Sequence, residues 1–170
     1  LYVIANNVAV SNFTITGSEL GYWKACGIYV NSSNNVFFNN IVAENNWGIY
    51  FDGAYNNTVI SNLISNQLIG HYMKDSDRNT FRGNFLTNNG IGFYSTYSSH
   101  NVFDENMVVE NDADGILVSY GYFCTLQRNT LIGNPIGFWL DPVRNCLILN
   151  NSIVNNKEVG VRFHGYSCDN

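Results

Sequence analysis

The stretch Lys74-Asp75-Ser76-Asp77-Arg78 sets two carboxylates and two cations side by side, the densest charged group in the chain. Paired carboxylates at a defined separation carry the acid–base chemistry of glycoside cleavage, so lyase-like or glycosidase-like catalysis would be sought at this turn. A second set is aromatic. Tyr29, Tyr50, Tyr72, Tyr94 and Trp139 recur at near-constant spacing, with Leu117 and Arg162 at the same repeat position. Flat aromatic faces in a row offer a stacking platform for sugars or a packing surface for another chain. Four cysteines (Cys26, Cys124, Cys146, Cys168) lie far apart with no C-x-x-C, which does not suit zinc. His71, His100 and His164 fall in different repeats without a second ligand, and Asp112-Ala113-Asp114 lacks the glycine-rich nonapeptide form that holds calcium in other β-solenoids. No metal or other cofactor is expected.

What must position these residues is a repeat. A glycine opens an apolar tetrad at Gly27, Gly48, Gly70, Gly92, Gly115, Gly137 and Gly160, with spacings of 21, 22, 22, 23, 22 and 23 residues. Self-similarity at this period means a solenoid, in which each repeat buries its apolar face against its neighbours. The Leu-x-x-Leu-x-Leu frame of leucine-rich repeats is absent. Within a repeat the pattern alternates with period two: Ile49 and Phe51 point one way and Tyr50 the other. Two further short runs follow, at 57–62 and 63–66, and leave no room for a helix. The expected fold is all-β, a single parallel β-helix domain over residues 1–170. It has about seven coils of 21–23 residues with three short strands each.

The polarity of the chain comes from 29 asparagines, since only 12% of the 170 residues are charged. Asparagine tolerates the left-handed backbone of a corner, and amides stacked coil upon coil can hydrogen-bond as a ladder. Three columns are expected: Asn57, Asn79, Asn101; then Asn40, Asn62, Asn84, Asn106, Asn129, Asn151; then Asn45, Asn66, Asn88, Asn111, Asn134, Asn155. A net charge of −5 without a basic run argues against nucleic acid, and no apolar stretch is long enough for membrane insertion.

Gly-Ile-x-Phe followed by Asn-x-Val-x-x-Asn-x-Ile-x-x-Asn resembles the right-handed parallel β-helix repeat of NosD-like proteins, over about residues 7 to 170. That group lies within the wider class of carbohydrate-binding proteins and sugar hydrolases. The resemblance implies the fold and its hand, which parallel crossovers also favour. It also implies that a polysaccharide can lie along the sheet that bears the tyrosines. NosD itself is associated with copper-site maturation, but the placement of Cys, His and Met here does not carry that role over.

The tyrosine row is expected to point outward as an exposed stripe, and charges to pair between coils as Asp52–Lys74, Arg82–Asp104 and Glu105–Arg128. Six of seven coils are minimal, which argues against an enzyme, because sites on this scaffold usually sit on long insertions. The exception is a protruding loop at residues 17–26 with Glu19, Trp23 and Lys24, a second contact candidate. Cys124 and Cys146 occupy equivalent positions one coil apart, within disulfide range. Cys168 competes as a partner, and Cys26, if oxidised, would pair with another chain or with residues outside this sequence. Sequons at Asn12, Asn31, Asn56 and Asn150 permit glycosylation in a secreted or cell-surface setting. The chain begins and stops without capping segments, as part of a longer chain or a subunit that stacks on itself would. Three functions follow, in order: a cell-surface structural or interaction module assembling through its ends or aromatic face; a carbohydrate-binding module; and a polysaccharide lyase or hydrolase.

Overall fold

The computed structural model describes residues 1–18 and 25–165. Each repeat gives one strand to each of three sheets, as in Trp47–Asp52, Thr58–Ile60 and Leu63–Ser65. The sheets contain eight, seven and seven strands, and every pairing is parallel to the strand one coil away. No helix occurs among the described residues. The expected right-handed parallel β-helix is what forms. Six full turns separate Gly27 from Gly160, slightly fewer than the about seven coils expected.

The inward positions fill the bore. Ile49, Phe51, Val59 and Ile64 of one coil are fully buried, and phenylalanines from successive coils pack along the axis, with Phe81 and Phe103 stacked at 5.2 Å. Such contacts, repeated in every coil, supply most of the apolar burial. The repeat glycine is needed where coils approach most closely. A Cβ at Gly48 would sit 2.3 Å from the Gly70 carbonyl oxygen, which no side chain tolerates.

Corners and ladders use asparagine in two different ways. Asn12, Asn39, Ser61, Gly83, Glu105, Arg128 and Asn150 form one column of positive-φ corners. The ladder beside it runs through Asn40, Asn62, Asn84, Asn106, Asn129 and Asn151, as expected. The first column also holds, and Asn35 extends it. The third does not. Its ladder passes through Asn45, Gln67, Asn89, Asn111, Asn134 and Asn156. Asn66, Asn88 and Asn155 are instead left-handed corners, exposed and one residue earlier. Adjacent amides satisfy both requirements, so the glycine spacing alone chose the wrong member of each pair. Asn12, the first of the sequon residues, is likewise an exposed corner. Asn31, Asn56 and Asn150 are also exposed.

Two charge pairs become a network. Arg82 bonds Glu105 at 3.0 Å and Arg128 bonds Asp104 at 2.6 Å, while Arg82–Asp104 (3.8 Å) and Glu105–Arg128 (3.3 Å) close the square. The third pair is in register but does not form as expected. Asp52 accepts from the Tyr29 hydroxyl at 2.9 Å, and Lys74 lies 3.7 Å from Asp75.

Cys124 and Cys146 replace asparagine in the first ladder, yet no disulfide joins them. The Cys124 amide donates to the Cys146 sulfur at 3.4 Å, as an asparagine amide donates to the next carboxamide. Parallel strands stack like side chains in like orientations, so the two Cβ–Sγ bonds run alongside rather than converge, although the α-carbons are close enough. Their thiols share a hydrogen bond that pulls the Cys146 pKa down to about 7 and pushes that of Cys124 up. Alkylation of the unfolded, unreduced protein should therefore label both. A mass deficit of two labels at this pair would show a disulfide instead.

Candidate functional site

The outward row is in register over the whole eight-stranded sheet: Tyr29, Tyr50, Tyr72, Tyr94, Leu117, Trp139 and Arg162. Tyr2 extends it at one end, 5.3 Å from Tyr29. Its exposure is uneven, which corrects the uniformly exposed stripe. Tyr29 and Tyr50 are only 9% and 5% exposed. Trp47, on the flank of the same face, packs 5.0 Å from Tyr50 and 5.2 Å from Tyr72, and Tyr50 stacks on Tyr72 at 5.0 Å. Rings at adjacent-strand spacing touch along the row, so each covers its neighbours. Burial, together with the Asp52 hydrogen bond, pushes the Tyr29 pKa up to about 12, and burial also raises Tyr50 and Tyr72.

The accessible part runs from Tyr72 through Tyr94 and Leu117 to Trp139 and Arg162, all partly exposed. The Arg162 guanidinium lies over the Trp139 ring at 5.1 Å, a cation–π contact. Asp114 stands two residues before inward Ile116, as Trp47 does before Ile49, and so flanks this stretch. Burial raises its pKa to about 6, against the opposing charge of Arg162. A carboxyl titrating near neutrality can give or take a proton there. Asp114 was weighed in the sequence only as a calcium ligand. Its burial, invisible in the pattern, is what distinguishes it.

The charged turn lies apart from this face, at the corner between the eight-stranded sheet and the next. Asp77 Oδ1 accepts from the Ser99 amide at 2.7 Å, and Asp75 faces Lys74. Arg78 is an exposed left-handed corner. Trp23 and Cys168, and most of the loop expected over 17–26, lie outside the described residues. Cys26 pairs in register with Trp47 on the flank of the aromatic face.

A family described as periplasmic copper-binding protein (NosD) matches residues 3–170. The chain belongs to the NosD family. No curated protein matches its sequence. Among solved structures, this NosD-family chain is similar to the Dettilon tailspike protein, with a TM-score of 0.76 and 17% identity over 84% of this chain and 33% of that one. It is also similar to the A-module of the mannuronan C-5 epimerase AlgE6 of Azotobacter vinelandii (TM-score 0.70, 16% identity, 87% and 51%). The periplasmic alginate epimerase AlgG, as its T265N mutant, gives 0.67 at 16%, over 95% and 45%. The chain thus spans a third to about half of the length of these structures, and at such identities the likeness is one of fold.

The copper in the family description asks for soft or imidazole donors. Among the described residues they do not assemble. His71 is enclosed by Phe51, Phe81 and Phe93, at 4.8, 4.5 and 5.8 Å between rings. The Met73 sulfur faces the Asn79 amide, and Cys124 and Cys146 are held in the ladder. Among the described residues no three of His, Cys, Asp and Glu converge. These residues do not fit a copper centre.

Proposed function

We propose that this chain is a glycan-binding β-helix module working outside the cytoplasm, with the sugar chain lying along the outer face of the eight-stranded sheet. The partly exposed, in-register row of Tyr72, Tyr94, Leu117 and Trp139, ending under Arg162, carries the reading. The stacked rings turn their edges outward, and apolar edges at coil spacing suit the C–H faces of successive sugars, while the guanidinium at the end suits a carboxylate-bearing one. Two of the similar structures are epimerases of mannuronan and alginate, which makes mannuronan the first ligand to try. The family's periplasmic description supports the location. Assembly as a structural module gains no support from the structures it resembles.

In calorimetry with a mannuronan hexasaccharide, changing Tyr72 and Tyr94 together to serine should weaken binding about tenfold or more while leaving the melting temperature near that of the parent. Undiminished affinity would clear the face of this role. Tyr50 is a poor probe, because it is buried and its loss would disturb the sheet. A second reading, turnover at the same face, rests on Asp114 alone. It requires a product from the same oligosaccharide, a rate limb near pH 6, and loss of that product in Asp114→Asn.

A further inference from the structure

Away from the sheet face, the corner that leads out of the eight-stranded sheet carries two aromatic stacks. Tyr97 lies on Tyr120 with ring centroids 4.7 Å apart and planes 9° from parallel. His100 lies on Phe123 at 5.1 Å and 21°. These are among the most exposed rings of the molecule: 56% for Tyr97, 44% for Tyr120 and 53% for Phe123. All four residues have positive φ, between 48° and 58°. The same two corner positions in other coils are held by Gly53 and Asp75, and by Asn56, Arg78 and Asn145, of which glycine, aspartate and asparagine suit the left-handed region. A bulky aromatic there is disfavoured, yet Tyr97, Tyr120 and Phe123 take three of these four positions in two successive coils. Strain kept at an exposed site points to a use for the side chain.

The neighbouring coil says what the use is. Backbone pairing sets Asp75 beside Tyr97 and Arg78 beside His100. A phenol ring extends farther from its backbone than a carboxylate does, so the exposed Tyr97 side chain reaches past Asp75 at this corner. Lys74 and Asp77 stand on either side of Asp75 in that same turn, with Lys74 3.7 Å from the Asp75 carboxylate. An apolar partner would strip water from these charges without pairing them. A sugar ring would not: one face is C–H and the rim is hydroxyl.

We infer that this ridge is a second glycan site, taking one pyranose unit against the free face of Tyr97 with its hydroxyls on Asp75 and Asp77. The inference rests on the glycan-binding reading of the chain but not on the sheet face. It gives the charged turn a binding role in place of the catalytic one sought in the sequence.

The test is calorimetry on the whole chain with two probes, a mannuronan hexasaccharide and a neutral glucan hexasaccharide. The ridge variant Tyr97→Gly with Phe123→Asn adopts residues the fold already uses at equivalent corners, so its melting temperature should equal or exceed that of the parent. The expected result is a loss of at least fivefold in affinity for one probe, or a stoichiometry falling from two to one, without a loss of stability. Equal binding by the ridge variant and the parent overturns the ridge alone and leaves the sheet face standing. Failure of both probes to bind the parent overturns the glycan reading and the ridge together.

Discussion

Replacing His71 by isoleucine should stabilise the fold by about 1–3 kcal/mol near neutral pH, the cost of a buried polar group without a partner. Both ring nitrogens of His71 lack a hydrogen-bond partner inside the bore. Its column neighbours are Ile49 and Phe93, so isoleucine is the fold's own choice one coil away. Burial lowers the imidazole pKa from 6.5 to about 3. Between those values the unfolded chain binds a proton that the native chain refuses. Native stability is therefore full above pH 6.5 and falls as the pH drops through that window, by up to about 1.4 kcal/mol per pH unit from this residue. Urea midpoints over that pH window, for the parent and His71→Ile, measure both effects. Parallel profiles for the two proteins would mean that His71 is not the buried neutral group the packing indicates.

The next largest effect separates two adjacent asparagines. Asn89 accepts from the Gln67 amide through its carboxamide oxygen and donates to the Ile64 carbonyl and to Asn111. Alanine at 89 leaves buried backbone groups on neighbouring coils unpaired, and the expected loss is about 3–5 kcal/mol, from two or more orphaned groups. Asn88 is exposed with φ near 54°, and alanine there meets only the left-handed penalty, about 1 kcal/mol. Denaturant melts of the two single variants give the comparison. Equal losses would return Asn88 to the ladder.

Most of the scaffold was legible because each column repeats a physical demand. The glycine spacing, the inward Ile49 and Phe51, and the first two ladders all recur unchanged. The third ladder slipped by one because Asn88 and Asn89 are the same residue type in different roles, and only the backbone angle tells them apart. Periodicity gave the direction of Tyr29 and Tyr50 but not their cover, since that depends on Trp47 reaching across from a flanking column. The ridge left a fainter trace. Tyr97 and Tyr120 occupy a corner column that the two preceding coils fill with Gly53 and Asp75, and large rings at such a column are the signal that was available. The raised pKa of Asp114 left none, because burial comes from residues distant in the chain.

The ladder bonds reach one coil and stop. Asn84 bonds Val59 in the coil before and Asn106 in the coil after, and the Arg82–Arg128 network likewise links nearest coils. Length is therefore an independent variable of this architecture. Excising residues 84–105 would join Gly83 to Asn106, the next member of the Asn84 column, and every remaining coil would still meet a neighbour of its own kind. The protein behaves as a measuring stick cut from stock: gene duplication or deletion in units of one coil changes the length of its aromatic face, and leaves the cross-section untouched.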